Sequence, residues 1–380
     1  MPWKTLGLQD LHDGAGERLW YAVSVNFKND TRYSCNPSDP DPDSSGCLNS
    51  DARGRITVRT AGGTVFLHDG SNPDEWTPSG AIGVVISPGK VLRLLGASID
   101  QNRSCAGGSC DANDVCTTPN PTSTPKCHPR EYLDRTLIED NRIFYDGPNK
   151  ASRTNGFIQG DILDASQNTI VNDKLLSIGY DDIMPLLEQR VARELLMCFE
   201  EYAENNNQRY PWAARVDDGT GTPNYVDFVN TPFGRVPDPP FNATAVTGMS
   251  NSWFANCNIS DITAATNWWL NWKEQVFYAV ADAYKPGPAV PLPSCGSCLT
   301  VDPPSINPDR RIAVMVAGTY LAASPPNIPA NQVRANPPAL DKVNINNYLE
   351  VENADLDDIF TSGAPSSGFN DVTCDRGICP

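Results

Sequence analysis

The sequence predicts an α+β fold made as a tandem duplication, each unit packing helices on an antiparallel β-sheet within a loop-rich, disulfide-stapled frame. Three observations lead there: short strings that recur in order, segments that switch between helix and strand periodicity, and cysteines that fall in close pairs.

The recurrence begins with "ERLWYAVS" at 17–24 and "EQVFYAVA" at 274–281, which lie 257 residues apart (274 minus 17). "AIGVVISPGKVL" (81–92) is answered by "RRIAVMVAGTYL" (310–321), where Gly318 minus Gly89 is 229. "EYLD" with its following "EDN" (131–141) is answered by "NYLEVEN" (347–353), where Tyr348 minus Tyr132 is 216. A closing "ND" at Asn172 and Asn370 gives 198 (370 minus 172). The offsets fall steadily and the order is never broken, so the first copy carries extra segments of 28, 13 and 18 residues (257 minus 229, 229 minus 216, 216 minus 198). The period is far longer than that of a solenoid repeat. It divides the chain into units 1–178 and 179–380.

Within the units, 180–208 carries the longest helical pattern. Ile183, Leu186, Leu187, Val191, Leu195, Leu196 and Phe199 recur at three- and four-residue steps, one apolar helix face. Asp181 and Asp182 suit its N-terminal end and Pro185 its first turn. The segment 267–286 has Trp269, Trp272, Val276, Phe277, Val280 and Tyr284 at similar steps, and Pro286 after them. It predicts a second helix that includes the octet 274–281, and by the repeat the octet 17–24 is helical too. Residues 55–68 read as a hairpin turning at Ala61-Gly62-Gly63, and 81–87 and 311–317 as strands. The second unit thus runs long helix, "YPW" corner, helix and strands. The first opens at Pro2-Trp3, so the register places its long helix upstream of Met1.

Composition bounds the function. The 39% hydrophobic and 20% charged residues fit a folded soluble protein, and 33 Pro and 28 Gly imply many loops. A net charge of −17 argues against nucleic acid and anionic membranes as partners. No stretch reaches the roughly 18 apolar residues of a membrane span, and the first residues lack the pattern of a signal peptide. The 12 cysteines pair closely as Cys35/Cys47, Cys105/Cys110, Cys116/Cys127, Cys295/Cys298 and Cys374/Cys379, leaving Cys198 and Cys257 to join helix and later loop. In Pro/Ser/Asp/Gly loops these are disulfide candidates, which implies an oxidising compartment.

"PWKTLGL", "GERLWYAVS", "RYPWAA", "WKEQVFYAVADAY" and the "ND" closure, with a long helix, an antiparallel sheet and a cysteine-tied C-terminal region, resemble large bacterial pilin-like proteins. These are type IV pilins and type II secretion pseudopilins. The resemblance implies a prepilin helix upstream of Met1 that anchors in the membrane and forms the filament core. It implies other pilin-like subunits as partners through that helix, no direct membrane contact by these residues, and an extracellular or cell-surface location, facing the periplasm before assembly.

Chemistry-bearing motifs are sparse. "SCGSCL" (294–299) has CxxC spacing, but Leu-Thr-Val-Asp-Pro-Pro follows instead of the helix that would activate a thiol, so a disulfide loop is expected. Asp39, Asp41 and Asp43 alternate as in a calcium loop, but Ser44 and Ser50 stand where an EF-hand has Gly and Glu. Trp268 lies off the apolar stripe and is the candidate for stacking a surface or glycan ligand. No GxSxG, HExxH or P-loop occurs, so neither cofactor nor catalytic residue is expected. The expected function is a structural or adhesive body of a minor pilin or pseudopilin. A secreted or periplasmic carbohydrate-binding module or hydrolase is the alternative.

Overall fold

The structure is a computed structural model. It describes residues 7, 9–24, 27, 47–63, 65–70, 80–93, 100, 101, 103, 129–142, 156–217, 225–257, 259, 268–288, 293–295, 298–302, 310–322, 331–334, 343–355, 358–362, 366 and 369–375. The chain forms two compact units, residues 1–28 with 53–180, and 29–52 with 181–380. The cut thus falls two residues beyond the one the repeat implies, and segment 29–52 goes with the second unit. There Ser50 Oγ donates to Ala317 O at 2.6 Å, and Gln275 Nε2 donates to Asp51 Oδ2 at 2.8 Å.

The first unit is built on β1 (Trp20–Val23), β4 (Gly83–Ser87) and β8 (Lys174–Ile178), an antiparallel sheet in the order β1-β4-β8. Beside it, β2 (Val58–Arg59) joins β3 (Phe66–His68) antiparallel and β5 (Phe157–Ile158) parallel. The predicted hairpin therefore forms, with Gly63 at φ +68° in its turn. A short ribbon pairs β6 (Ile162–Leu163) with β7 (Thr169–Val171). The core lies between the sheets: Ile56, Val58, Ala81, Val84, Ile86, Leu133 and Phe157, with Trp20, Ala22, Tyr132 and Leu175 against them.

The second unit opens with α1 (Met184–Asn205), 22 residues that bury Glu188, Val191, Leu195, Phe199 and Tyr202 along one face. Leu186, expected on that face, is exposed. The N-cap position falls on Ile183, whose side chain makes no cap bond, rather than on Asp181 or Asp182. Two four-residue helices follow, α2 (Asn242–Ala245) and α3 (Trp269–Trp272). The main sheet runs β14-β12-β10-β9, from β9 (Phe233–Arg235), β10 (Val276–Val280), β12 (Ile312–Val316) and β14 (Val372–Cys374). A parallel pair joins β11 (Thr300–Asp302) to β13 (Ile359–Thr361).

Both octets are strands, which corrects the helical expectation. β10 is buried at all five positions, and a strand covered on both faces loses its alternation and reads as a continuous apolar run. Val, Tyr, Phe and Trp favour strands locally, and the helical stripe ends with α3.

The pairings of the two units share one register. Trp20 faces Ile86 in the first and Phe277 faces Met315 in the second, offsets of 257 (277 minus 20) and 229 (315 minus 86). Val85 faces Leu176 where Val314 faces Cys374, an offset of 198 on the last strand (374 minus 176). The parallel pair Val58–Phe157 corresponds to Val301–Phe360, at 243 (301 minus 58) and 203 (360 minus 157).

Candidate functional site

One cluster of buried polar groups recurs in both units, where the loop after the middle strand meets the start of the last strand. In the first unit, Gln101 N donates to Leu92 O at 2.9 Å and its side-chain Oε1 accepts from Leu92 N at 3.0 Å. Its Nε2 then donates to Asp134 Oδ1 at 2.8 Å. Asp134 Oδ2 accepts from Asn172 N at 2.8 Å, and Asp134 N donates to Asp173 Oδ2 at 2.8 Å. Asn141 Nδ2 donates to Asp173 Oδ2 at 2.8 Å, while its Oδ1 accepts from Ile158 N at 2.7 Å.

Every one of these bonds has a counterpart in the second unit. Gln332 bonds Leu321 in both directions at 3.0 and 2.9 Å and donates to Glu350 Oε1 at 2.7 Å. Glu350 Oε2 accepts from Asn370 N at 3.1 Å, and Glu350 N donates to Asp371 Oδ2 at 3.0 Å. Asn353 Nδ2 donates to Asp371 Oδ2 at 3.1 Å, and its Oδ1 accepts from Thr361 N at 2.8 Å.

An arginine two residues after each glutamine completes the cluster. Arg103 donates to Gly89 O at 2.5 Å and Tyr132 O at 3.2 Å and lies over the Tyr132 ring at 5.5 Å. Arg334 donates to Gly318 O at 2.7 Å and Tyr348 O at 3.1 Å and lies over the Tyr348 ring at 4.9 Å. Only Arg334 also reaches a carboxylate through a buried ion pair, with Asp51 Oδ1 at 2.9 Å. The two glycines matter because a Cβ at either would run into the facing asparagine, Asn172 or Asn370.

Burial governs the electrostatics. Desolvation raises Asp134 and Glu350 above the usual carboxylate range. It raises Asp173 and Asp371 further, and there the neighbouring carboxyl's charge adds to it. Asp173 Oδ1 and Asp371 Oδ1 are both buried without a hydrogen-bond partner among the described residues. The raised values mean that each pair holds a proton to higher pH than a free carboxyl does. Asp134, Asp173, Glu350 and Asp371 are each at most 5% exposed. The arrangement ties three loops to the sheet.

The second unit adds a cluster of its own. Lys273 Nζ meets Asp238 Oδ2 at 3.1 Å, and Trp269 Nε1 donates to Asp238 Oδ1 at 3.0 Å, all within the core. Arg235, fully buried, lies 4.6 Å from the Phe277 ring centre and 4.5 Å from that of Tyr348. Asp227 accepts from the backbone N–H groups of Asn242, Ala243 and Thr244, closing the open end of α2.

Of the residues singled out in the sequence, Cys198 and Cys257 form a disulfide between α1 and a later loop, and Cys295 bonds Cys298. Cys47 and Cys374 are also disulfide-bonded. Cys35, Cys105, Cys110, Cys116, Cys127 and Cys379 lie outside the described residues, as do Asp39, Asp41 and Asp43. Among the described residues no cluster of three or more His, Cys, Asp or Glu could hold a metal, and no helix is long and apolar enough to cross a membrane. Trp268 is half-buried, edge-on to Trp269 with ring centres 6.0 Å apart. The polar cluster was not foreseen, although its signal was present: Gln-x-Arg at 101–103 recurs at 332–334.

Compared with protein-family models, curated proteins and solved structures, the chain matches none, so the geometry above carries the functional reading.

Proposed function

We propose that this chain is a tandem duplication of one pilin-like unit and serves as the body of an extracellular structural or adhesive protein, a minor pilin or pseudopilin. The observation that carries it is the plan of the second unit. A 22-residue helix lies on an antiparallel sheet whose last strand ends in the disulfide-bonded Cys374, the plan of the proteins its motifs resemble. The common strand register and the repeated carboxyl clusters support the duplication. The disulfides fit an oxidising compartment. On this reading the protein acts by assembly and surface contact, with other pilin-like subunits as partners and a surface or glycan ligand as target, and carries out no catalysis.

The test is location in the native host. Antibodies raised against residues 1–380 are expected to label filaments sheared from the cell surface, or the secretion assembly in the envelope. Recovery of the protein only as a free secreted monomer that binds or cleaves a polysaccharide would overturn the reading.

A further inference from the structure

The sheets of the two units differ on one face. In the second unit Tyr278, Val314 and Cys374 form a cross-strand row on the outer face, and all three are 0% exposed. The cover is α1, which packs on β12 and β14 and sets the Phe199 ring 4.5 Å from that of Tyr278. The same row in the first unit is Tyr21, Val85 and Leu176, by the registers above. Tyr21 is 48% exposed and Leu176 67% exposed, and Val85 between them is only half-buried. Val23 and Ile178, both half-buried, extend the row toward one end of the sheet. At the other end Lys174 marks the rim, paired with Asp161 at 3.0 Å. The inner faces match: Trp20 packs on Tyr132 and Phe277 on Tyr348, both at 5.5 Å between ring centres.

We propose that the outer face of the β1-β4-β8 sheet is a docking surface for an amphipathic α-helix of the α1 kind. The occupant follows from the second unit, where the equivalent face holds a helix that precedes its strands. That helix, Met184–Asn205, covers the row of the second sheet equivalent to Tyr21, Val85 and Leu176. The face has the chemistry for it, with an aromatic ring, two valines, a leucine and an isoleucine in adjacent cross-strand rows. The inference rests on strand register and burial, not on the filament reading.

Hydroxyl-radical footprinting tests it. Residues 1–380 are compared with the same chain extended at its N-terminus by a copy of residues 184–205 bearing Cys198→Ser, joined through a Gly/Ser linker of about 20 residues that reaches roughly 25 Å. Oxidation of Tyr21 and Leu176 is expected to fall several-fold in the extended chain, with Tyr278 unchanged, and Leu176→Asp in that chain to restore oxidation of Tyr21. Unchanged oxidation of Tyr21 and Leu176 overturns the proposal. So does protection already present in residues 1–380 that disappears on dilution, since a second copy would then be the occupant. Labelled filaments together with an unprotected face would sink this inference and leave the functional reading standing.

Discussion

Tyr21 and Tyr278 occupy the same place in two sheets of one register, yet one ring faces solvent and the other is sealed beneath α1. Behind them, on the inner face, the two units carry the same bonds from Gln-x-Arg to a carboxyl pair and on to an Asn. The shared half closes each sheet around buried polar groups, whose need for hydrogen-bond partners ties them to one set of bonds. The half that differs is apolar: α1 covers it in the second unit, and in the first it is exposed. The polar cluster is therefore the constant part of the unit and the helical cover the part that differs.

The comparison breaks most sharply at the arginines. Arg334→Ala removes the charged partner of the buried Asp51 carboxylate, leaving it the neutral donors Gln275 and Tyr320, and removes the donor to three carbonyls, those of Gly318, Asn347 and Tyr348. Its expected cost is about 3–5 kcal/mol in urea unfolding. Arg103→Ala removes the same carbonyl bonds, but its partner Glu17 lies 3.7 Å away and is 26% exposed, so it is expected to cost less. Equal losses would show that the Asp51 pair adds nothing.

Next come the paired tyrosines. Tyr278→Ala is expected to cost about 3–5 kcal/mol, the range for emptying a buried aromatic site. Tyr21→Ala is expected to cost under about 1 kcal/mol, because its ring is half in water already. Comparable values by denaturant titration would mean that Tyr21 is covered in solution.

The Cys198–Cys257 bridge spans 59 residues, and removing it by paired Ala substitutions is expected to cost about 2–4 kcal/mol. The loss should fall on the second unit alone, read by hydrogen exchange of β12 against β4.

The smallest effect is in pH. Because the folded state raises the carboxyls of both clusters, principally by burial, their contribution to stability is complete below the ordinary carboxylate range. It is lost as pH rises through the raised folded values. Asp173→Asn and Asp371→Asn remove the more strongly raised titrating group from each pair. Together they are expected to flatten the fall of unfolding free energy above about pH 4, each removing roughly 1.4 kcal/mol per unit of pKa difference. An unchanged slope would show that neither pair retains a proton.

The amino-acid order alone determined the α+β class, the long helix at 184–205, the hairpin near Gly63, the two middle strands and the ordered recurrence. Each of these is written locally, in periodicity, turn residues or repeated strings. Tertiary structure decided the rest. It made strands of the octets at 17–24 and 274–281: burial on both faces of the second erases the alternation by which a strand is recognised, and the first had been read as helix only through its likeness to the second. It moved segment 29–52 into the second unit through the partners of Ser50 and Asp51. It also joined Gln101 to Asp134 and Gln332 to Glu350, residues 33 and 18 apart along the chain. Hydrogen bonds of that kind depend on where folded strands bring distant groups, and a sequence records the groups without recording their meeting.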